Sequence, residues 1–305
     1  MLKPKALKKG DIIGVVAPSN PIIGDNIIEL NSAKKIIEDM GYIVKFSDNT
    51  FNNDLEYSAN HEKKADDINK MFGDNNIKAI WCAKGGENSN GIFEFLNYEL
   101  IKNNPKIICG YSDITSVTNI ISEKCGFVTF SSTNFKAIAT DETRYSLDNA
   151  LDMFERNKFA NEGEYWTINK GKCEGELVGG NLTLITNLAT GKYKVNFRDK
   201  ILFIEELGFE TSPASASRKL HFLKQNGVFD EICGLWIGNY ENEFNISLEK
   251  IVLNTLGENI GFPIIKSNNF GHIEKKITIP IGVKAKIDTE EDIKIKLLQN
   301  AVDCL

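Results

Sequence analysis

The sequence predicts an α/β protein: an N-terminal doubly wound, largely parallel α/β domain followed by a C-terminal β-rich mixed α/β domain. Three observations lead there. Short apolar runs alternate with longer stretches of helical period through the first half. Polar or glycine-bearing turns close one predicted strand after another, the punctuation of a wound sheet. Beyond about residue 170 the pattern changes, and it ends in alternating Ile, Val and Lys, which reads as β structure.

Asp11 to Pro18 is a buried-strand pattern closed by Pro18-Ser19-Asn20. Asn26 to Met40 places Ile27, Ile28, Leu30, Ala33, Ile36 and Ile37 at helix-face spacing, and Gly41 stops it before the strand Tyr42 to Phe46. His61 to Phe72 is helical, Lys78 to Ala83 a strand, Asn90 to Leu100 a short helix, Lys106 to Cys109 a strand and Asp113 to Ser122 a helix. Ser19, Gly85-Gly86 and Ser112 each follow a predicted strand, so they are expected to converge at one edge of the sheet. Residues 1–156 form the expected first domain, the charged, irregular segment 157–170 the connection, and 171–305 the second domain. There Glu176 to Leu182 is expected to open a helix, Lys200 to Glu205 to be a strand, Ala214 to Gly227 a helix, Ile232 to Gly238 a strand, Leu248 to Leu256 a helix, and Ile277 to Leu298 mainly β.

The whole chain narrows the function classes. With 305 residues, 42% hydrophobic and 26% charged, it can bury a core without staples. A net charge of -6 with interspersed Lys and Arg leaves no basic stripe for nucleic acid, and no apolar stretch approaches a membrane span. The N-terminal apolar run is too short and interrupted for a signal peptide, so a cytoplasmic location is expected. The six cysteines are scattered and read as reduced thiols. No His or Cys clustering suggests a metal, and no cofactor is expected.

Lys106 to Thr115, reading KIICGYSDIT, carries the strongest local signal. An apolar strand meets Gly110, and Ser112 then sits on a tight turn that opens a helix. Backbone amides at a helix start face developing negative charge, so the segment resembles a nucleophile elbow, with Ile114 where a second Gly is common. The bland alternative is that Ser112 or Asp113 caps the helix. A serine nucleophile needs a base and an orienting acid. His61 lies in the charged run HEKKADD and His221 on a helix, which leaves His272, in a polar loop after Phe270-Gly271, as the best candidate base. Glu205 ends an apolar strand, where a carboxylate is costly unless paired, and Glu206 could share or replace its role. Gly85-Gly86 offers backbone approach to a ligand or simply a tight turn.

Taken together, these segments resemble the serine LD-carboxypeptidase family, which includes murein tetrapeptide carboxypeptidases and microcin C immunity peptidases. The resemblance rests on Lys9 to Ser19, Gly85-Gly86, Gly110 to Thr115, Gly179 to Leu182, Leu202 to Glu205, Gly271-His272 and Thr278 to Gly282, in the family's order over nearly the whole chain. It implies Ser112 as nucleophile, Glu205 as acid, His272 as base, and an oxyanion hole from the backbone amides of Gly86 and Asp113. It also implies a homodimer acting on a small peptide or peptidyl-nucleotide. Lys84, Gly85, Asn88, Trp166 and Arg218 are candidates for substrate contact. Trp166 could stack on a nucleobase or pack at the domain junction. Many murein-cleaving members carry Arg-Gly-Gly-Tyr-Gly at the glycine loop. Lys84 to Asn90, KGGENSN, resembles the immunity branch instead, whereas the short connection around Trp166 and Asn269 to His272 resemble the murein branch. A non-catalytic small-ligand binding protein is the alternative from another class.

Overall fold

The computed structural model describes residues 1–56, 59–161 and 163–304. Glu162, inside the expected connection, and Leu305, ending the expected second domain, lie outside the described residues. Two compact units result. The first comprises 1–159 with the returning segments 277–280 and 300–304, and the second comprises 160–276 and 281–299.

In the first unit, strands β1 (Ile12–Val16), β2 (Ile43–Phe46), β3 (Ile77–Cys82), β4 (Ile107–Gly110) and β5 (Thr129–Ser131) alternate with helices α1 (Asp25–Asp39), α2 (His61–Gly73), α3 (Tyr98–Asn103) and α4 (Ile114–Cys125), and α5 (Tyr145–Arg156) follows. Strand pairs β1–β2, β1–β3, β3–β4 and β4–β5 are all parallel. Buried on both faces, such strands need near-continuous apolar runs, which is why Ile107 to Gly110 shows no alternation. The winding reverses between β1 and β3, since β2 lies beside β1 on one side and β3, β4 and β5 follow on the other. Such a switch point, at the carboxyl ends of β1 and β3, is where wound sheets bind ligands. Trp81, fully buried on β3, donates its indole N–H to the Thr133 carbonyl at 2.7 Å and meets Phe135 and Phe154 edge-on.

The second unit holds β6 (Tyr165–Asn169), β7 (Lys172–Asn181), α6 (Leu182–Asn187), β8 (Ile201–Glu205), α7 (Pro213–Gln225), α8 (Val228–Glu231), β9 (Gly234–Ile237), α9 (Leu248–Leu256) and β10 (Ile264–Ser267). The chain then passes through β11 (Ile279–Ile281), on the edge of the first sheet beside β5, before β12 (Lys284–Asp288) and β13 (Ile295–Leu297). The second sheet runs β13-β12-β7-β8-β9-β10-β6, parallel from β7 to β10 with antiparallel flanks. Five buried residues make β8 its central strand.

Several elements differ from expectation. Residues 90–100 form a one-turn helix at Ser89–Ile92 and then α3, because Asn97 starts a new helix by accepting the Leu100 N–H at 3.0 Å. Glu176 to Asn181 continues β7, and the helix begins only at Leu182, capped by Asn181. Gly179 explains this, since a Cβ there would lie 1.9 Å from the Phe203 carbonyl oxygen of β8. The segment expected to be irregular contains β6, which pairs antiparallel with β10. The short strands β5 and β10 and helix α5 were not predicted, the strands because three or four residues give too little period to read.

Candidate active site

The first unit presents the serine. Ser112 follows β4 with φ 65, a left-handed conformation that is strained for a residue with a Cβ. Asp113 begins α4 but its side chain makes no capping bond, so the capping alternative for Asp113 does not describe this turn. Two glycines pack tightly around the elbow. A Cβ on Gly110 would lie 2.7 Å from Ile114 Cγ2, and one on Gly85 would lie 3.0 Å from Ser112 Cβ. Asn134 holds the turn from the loop after β5, its Oδ1 accepting from the Tyr111 N–H at 3.1 Å. Sequence reasoning missed Asn134; its one signal is a polar residue just beyond a short apolar strand.

Ser19, the glycine pair and Ser112 do converge, as expected. Asp113 Oδ2 accepts from Ser19 Oγ and from the Ser89 N–H at 2.8 Å. Gly86 has φ +154, and a Cβ there would lie 2.3 Å from Asn20 Cγ. Asn88, expected to meet substrate, is engaged inside this loop, accepting from Lys64 Nζ at 2.7 Å and donating to Asn20 Oδ1 at 3.2 Å. Lys84 is partly buried; burial and then Lys136 lower its pKa, against Glu29.

The second unit presents the candidate acid and base. Glu205 ends β8 and is 4% exposed. Its Oε2 accepts from His272 twice, from Nδ1 at 2.7 Å and from the backbone N–H at 3.1 Å. Gly271 permits this approach, with φ +121 and space for a Cβ only 3.1 Å from Glu205 Oε2. Phe270 anchors the loop by packing edge-on against Trp236, with ring centroids 4.7 Å apart. The Nδ1 bond selects the tautomer whose lone pair lies on Nε2. Burial disfavours the imidazolium, but Glu205's charge and hydrogen bond, with Glu206 adding, hold the His272 pKa above its usual value against Lys276.

Glu206 is equally buried and differently employed. It accepts from Asn181 Nδ2 at 2.8 Å, from the Leu207 N–H at 2.9 Å and from the Thr183 N–H at 3.1 Å, and it pairs with Lys219 at 3.4 Å. The carboxylate bonded to His272 is thus Glu205. Arg218 is exposed on α7, its guanidinium donating to Ser215 Oγ at 3.4 Å, while Trp166 lies on β6 at 39% exposure. His61 and His221 stay outside both groups; the His221 Nδ1 lies 2.9 Å from the Ser217 carbonyl of its own helix. Among the described residues, no group of three or more His, Cys, Asp or Glu could hold a metal, and no helix is long and apolar enough to cross a membrane.

Comparison with known proteins finds family domains along most of the chain. Residues 13–132 match the LD-carboxypeptidase N-terminal domain, and residues 174–287 match the LD-carboxypeptidase C-terminal domain. A probable murein peptide carboxypeptidase of Bacillus subtilis is 32% identical over 300 residues, covering 95% of this chain and 92% of that protein. The microcin C7 self-immunity protein of Escherichia coli is 27% identical, covering 92% of each. The solved structure of an MccF-like protein from Bacillus anthracis superposes with a TM-score of 0.86 at 30% identity, covering 97% of this chain and 98% of that one.

Proposed function

The chain belongs to the LD-carboxypeptidase family, and on that premise we propose that it is a serine carboxypeptidase releasing the C-terminal residue of an L,D-linked murein tetrapeptide. The observation that supports this most is the buried Glu205–His272 pair, with Nδ1 held at 2.7 Å and the ring's pKa raised. A structural histidine does not need a buried carboxylate against it; a general base does.

In this reading Nε2 of His272 takes the proton of Ser112 as its Oγ attacks the scissile carbonyl. The amides of Gly86 and Asp113 receive the oxyanion, aided by the start of α4. Glu205 orients the imidazole and supports its positive charge. His272 then protonates the leaving amine, and water, deprotonated by the same imidazole, hydrolyses the acyl-enzyme. Lys84 and Arg218 are the candidates for the terminal carboxylate by charge. The enzyme works in the cytoplasm as a homodimer of two-domain subunits, residues 1–156 bearing the nucleophile and 171–305 the acid and base.

A second reading, an immunity-type peptidase cleaving an aminoacyl-nucleotide conjugate, is favoured by the Gly85 to Asn90 loop and by Trp166, exposed enough to stack on a base. Mass spectrometry of products separates the two. The protein and its Ser112→Ala variant are incubated with a murein tetrapeptide and with an aminoacyl-sulfamoyl nucleotide. Serine-dependent loss of D-alanine supports the first reading, and cleavage of the conjugate alone supports the second. Binding without turnover of either would indicate a ligand-binding protein and overturn both.

A further inference from the structure

The mechanism above uses only the backbone amide of Asp113. Its carboxyl group is fully buried, and burying such a group is costly unless hydrogen bonds compensate it. The partners are informative. Oδ2 accepts from Ser19 Oγ, in the loop after β1, and from the Ser89 N–H, in the loop after β3, at 2.8 Å. Ser89 also donates its Oγ to the Asp113 carbonyl at 2.8 Å, so one serine grips both ends of the residue. Asp113 itself follows β4. One side chain therefore ties together three loops at the carboxyl ends of three strands.

The glycine turn is also held from its other side. Asn20 Oδ1 accepts from the Glu87 N–H and from Asn88 Nδ2, each at 3.2 Å, and packs so close to Gly86 that no side chain fits between them. Lys64, only 2% exposed, is bonded to Asn88 and attracted by the Asp113 charge; burial outweighs that attraction and brings its pKa down to about 8. Asp113 Oδ1 has no hydrogen-bond partner among the described residues.

From this geometry we propose that the Asp113 side chain is the positioning group of the oxyanion hole: through Ser19 and Ser89 it sets where the glycine turn stands relative to the amide of its own residue. Hole donors stabilise a transition state only when they are already in place, so a clamp across the two donor segments acts on turnover and little on ground-state binding. The kinetic part rests on the reading of Ser112 as nucleophile; the positional part does not.

Two readouts are therefore taken on Asp113→Ala, Asp113→Asn and Ser89→Ala. One is kcat and KM, and the other is amide hydrogen exchange of residues 17–20 and 84–91 by mass spectrometry. Asp113→Ala should lower kcat by about 100-fold with KM within about 3-fold, and should raise exchange in both loops. Asp113→Asn keeps an oxygen for both bonds and should retain at least about a tenth of kcat with near-native exchange. Ser89→Ala should fall between them, and it carries the test if Asp113→Ala does not fold. Wild-type exchange in a folded Asp113→Ala would overturn the clamp, as would equal losses in the Asn and Ala variants. A protein that turns over neither substrate yet shows loosened loops in Asp113→Ala would overturn the proposed function and leave the clamp standing.

Discussion

Ser112 sits on backbone bent into the left-handed region, whereas Glu205 and His272 have no positive φ and are constrained by burial and by each other. The serine half is thus shaped by main chain. Glycines at 85 and 110 make room for the elbow, and Asn134 pins Tyr111. The half around Glu205 and His272 is shaped by charge, with two adjacent carboxylates buried at 4% and 3% exposure and given different partners. Successive side chains leave a strand on opposite sides, so Glu205 meets His272 while Glu206 meets Asn181, Thr183 and Lys219. A nucleophile needs exposure at a fixed angle, which strained backbone provides. A base needs a tuned proton affinity, which burial and neighbouring charge provide.

The contrast can be broken most sharply at Glu205. Glu205→Gln removes the charge while keeping the shape, and kcat should fall by about 10⁴-fold with the fold intact by circular dichroism. A loss under about 10-fold would mean the pair is structural. In the main-chain half, Gly86→Ala places a Cβ 2.3 Å from Asn20 and should lower kcat about 100-fold while Glu205 and His272 are untouched; unchanged kcat would remove the glycine turn from the hole.

Glu206 offers a subtler test. With His272 as the proposed base, which must be neutral to act, the acid limb of the kcat/KM profile should report its raised pKa in the free enzyme. Glu206 contributes to that rise, alongside Glu205 and against Lys276, so Glu206→Gln should move the limb to lower pH. A limb that stays still, or moves up, would confine Glu206 to holding Asn181 and Lys219. Smallest is the strain itself. Ser112→Gly should be about 1 kcal/mol more stable than Ser112→Ala in urea unfolding, since only glycine accepts φ 65 without cost. Equal stabilities would mean that the elbow carries no strain.

Legibility followed the same division. The parallel strands with Ser19, Gly85 and Ser112 beyond their ends were readable because long apolar runs and glycine stops are local signals. Glu205 and His272 were legible as types and, through the ordered motifs, as a family. Read from the residues alone, the choice between Glu205 and Glu206 stayed open, because it depends on which way each side chain leaves the end of β8; the family resemblance picked Glu205. Asn134 and the Asp113 clamp were illegible for a related reason. Asp113 reaches across 24 residues to Ser89 and 94 to Ser19, and no local pattern encodes a hydrogen bond between loops that only the winding order of the sheet brings together.

By itself, then, the sequence determined the α/β class, the strand ends that carry chemistry and the residue types available there, because periodicity and turn chemistry act over a few residues. Tertiary structure alone decided that β7 extends to Asn181, that Glu205 faces His272 while Glu206 is tied to Lys219, and that Asp113 joins three loops. Those outcomes depend on strand order, packing depth and side-chain direction, which exist only once the sheet has formed.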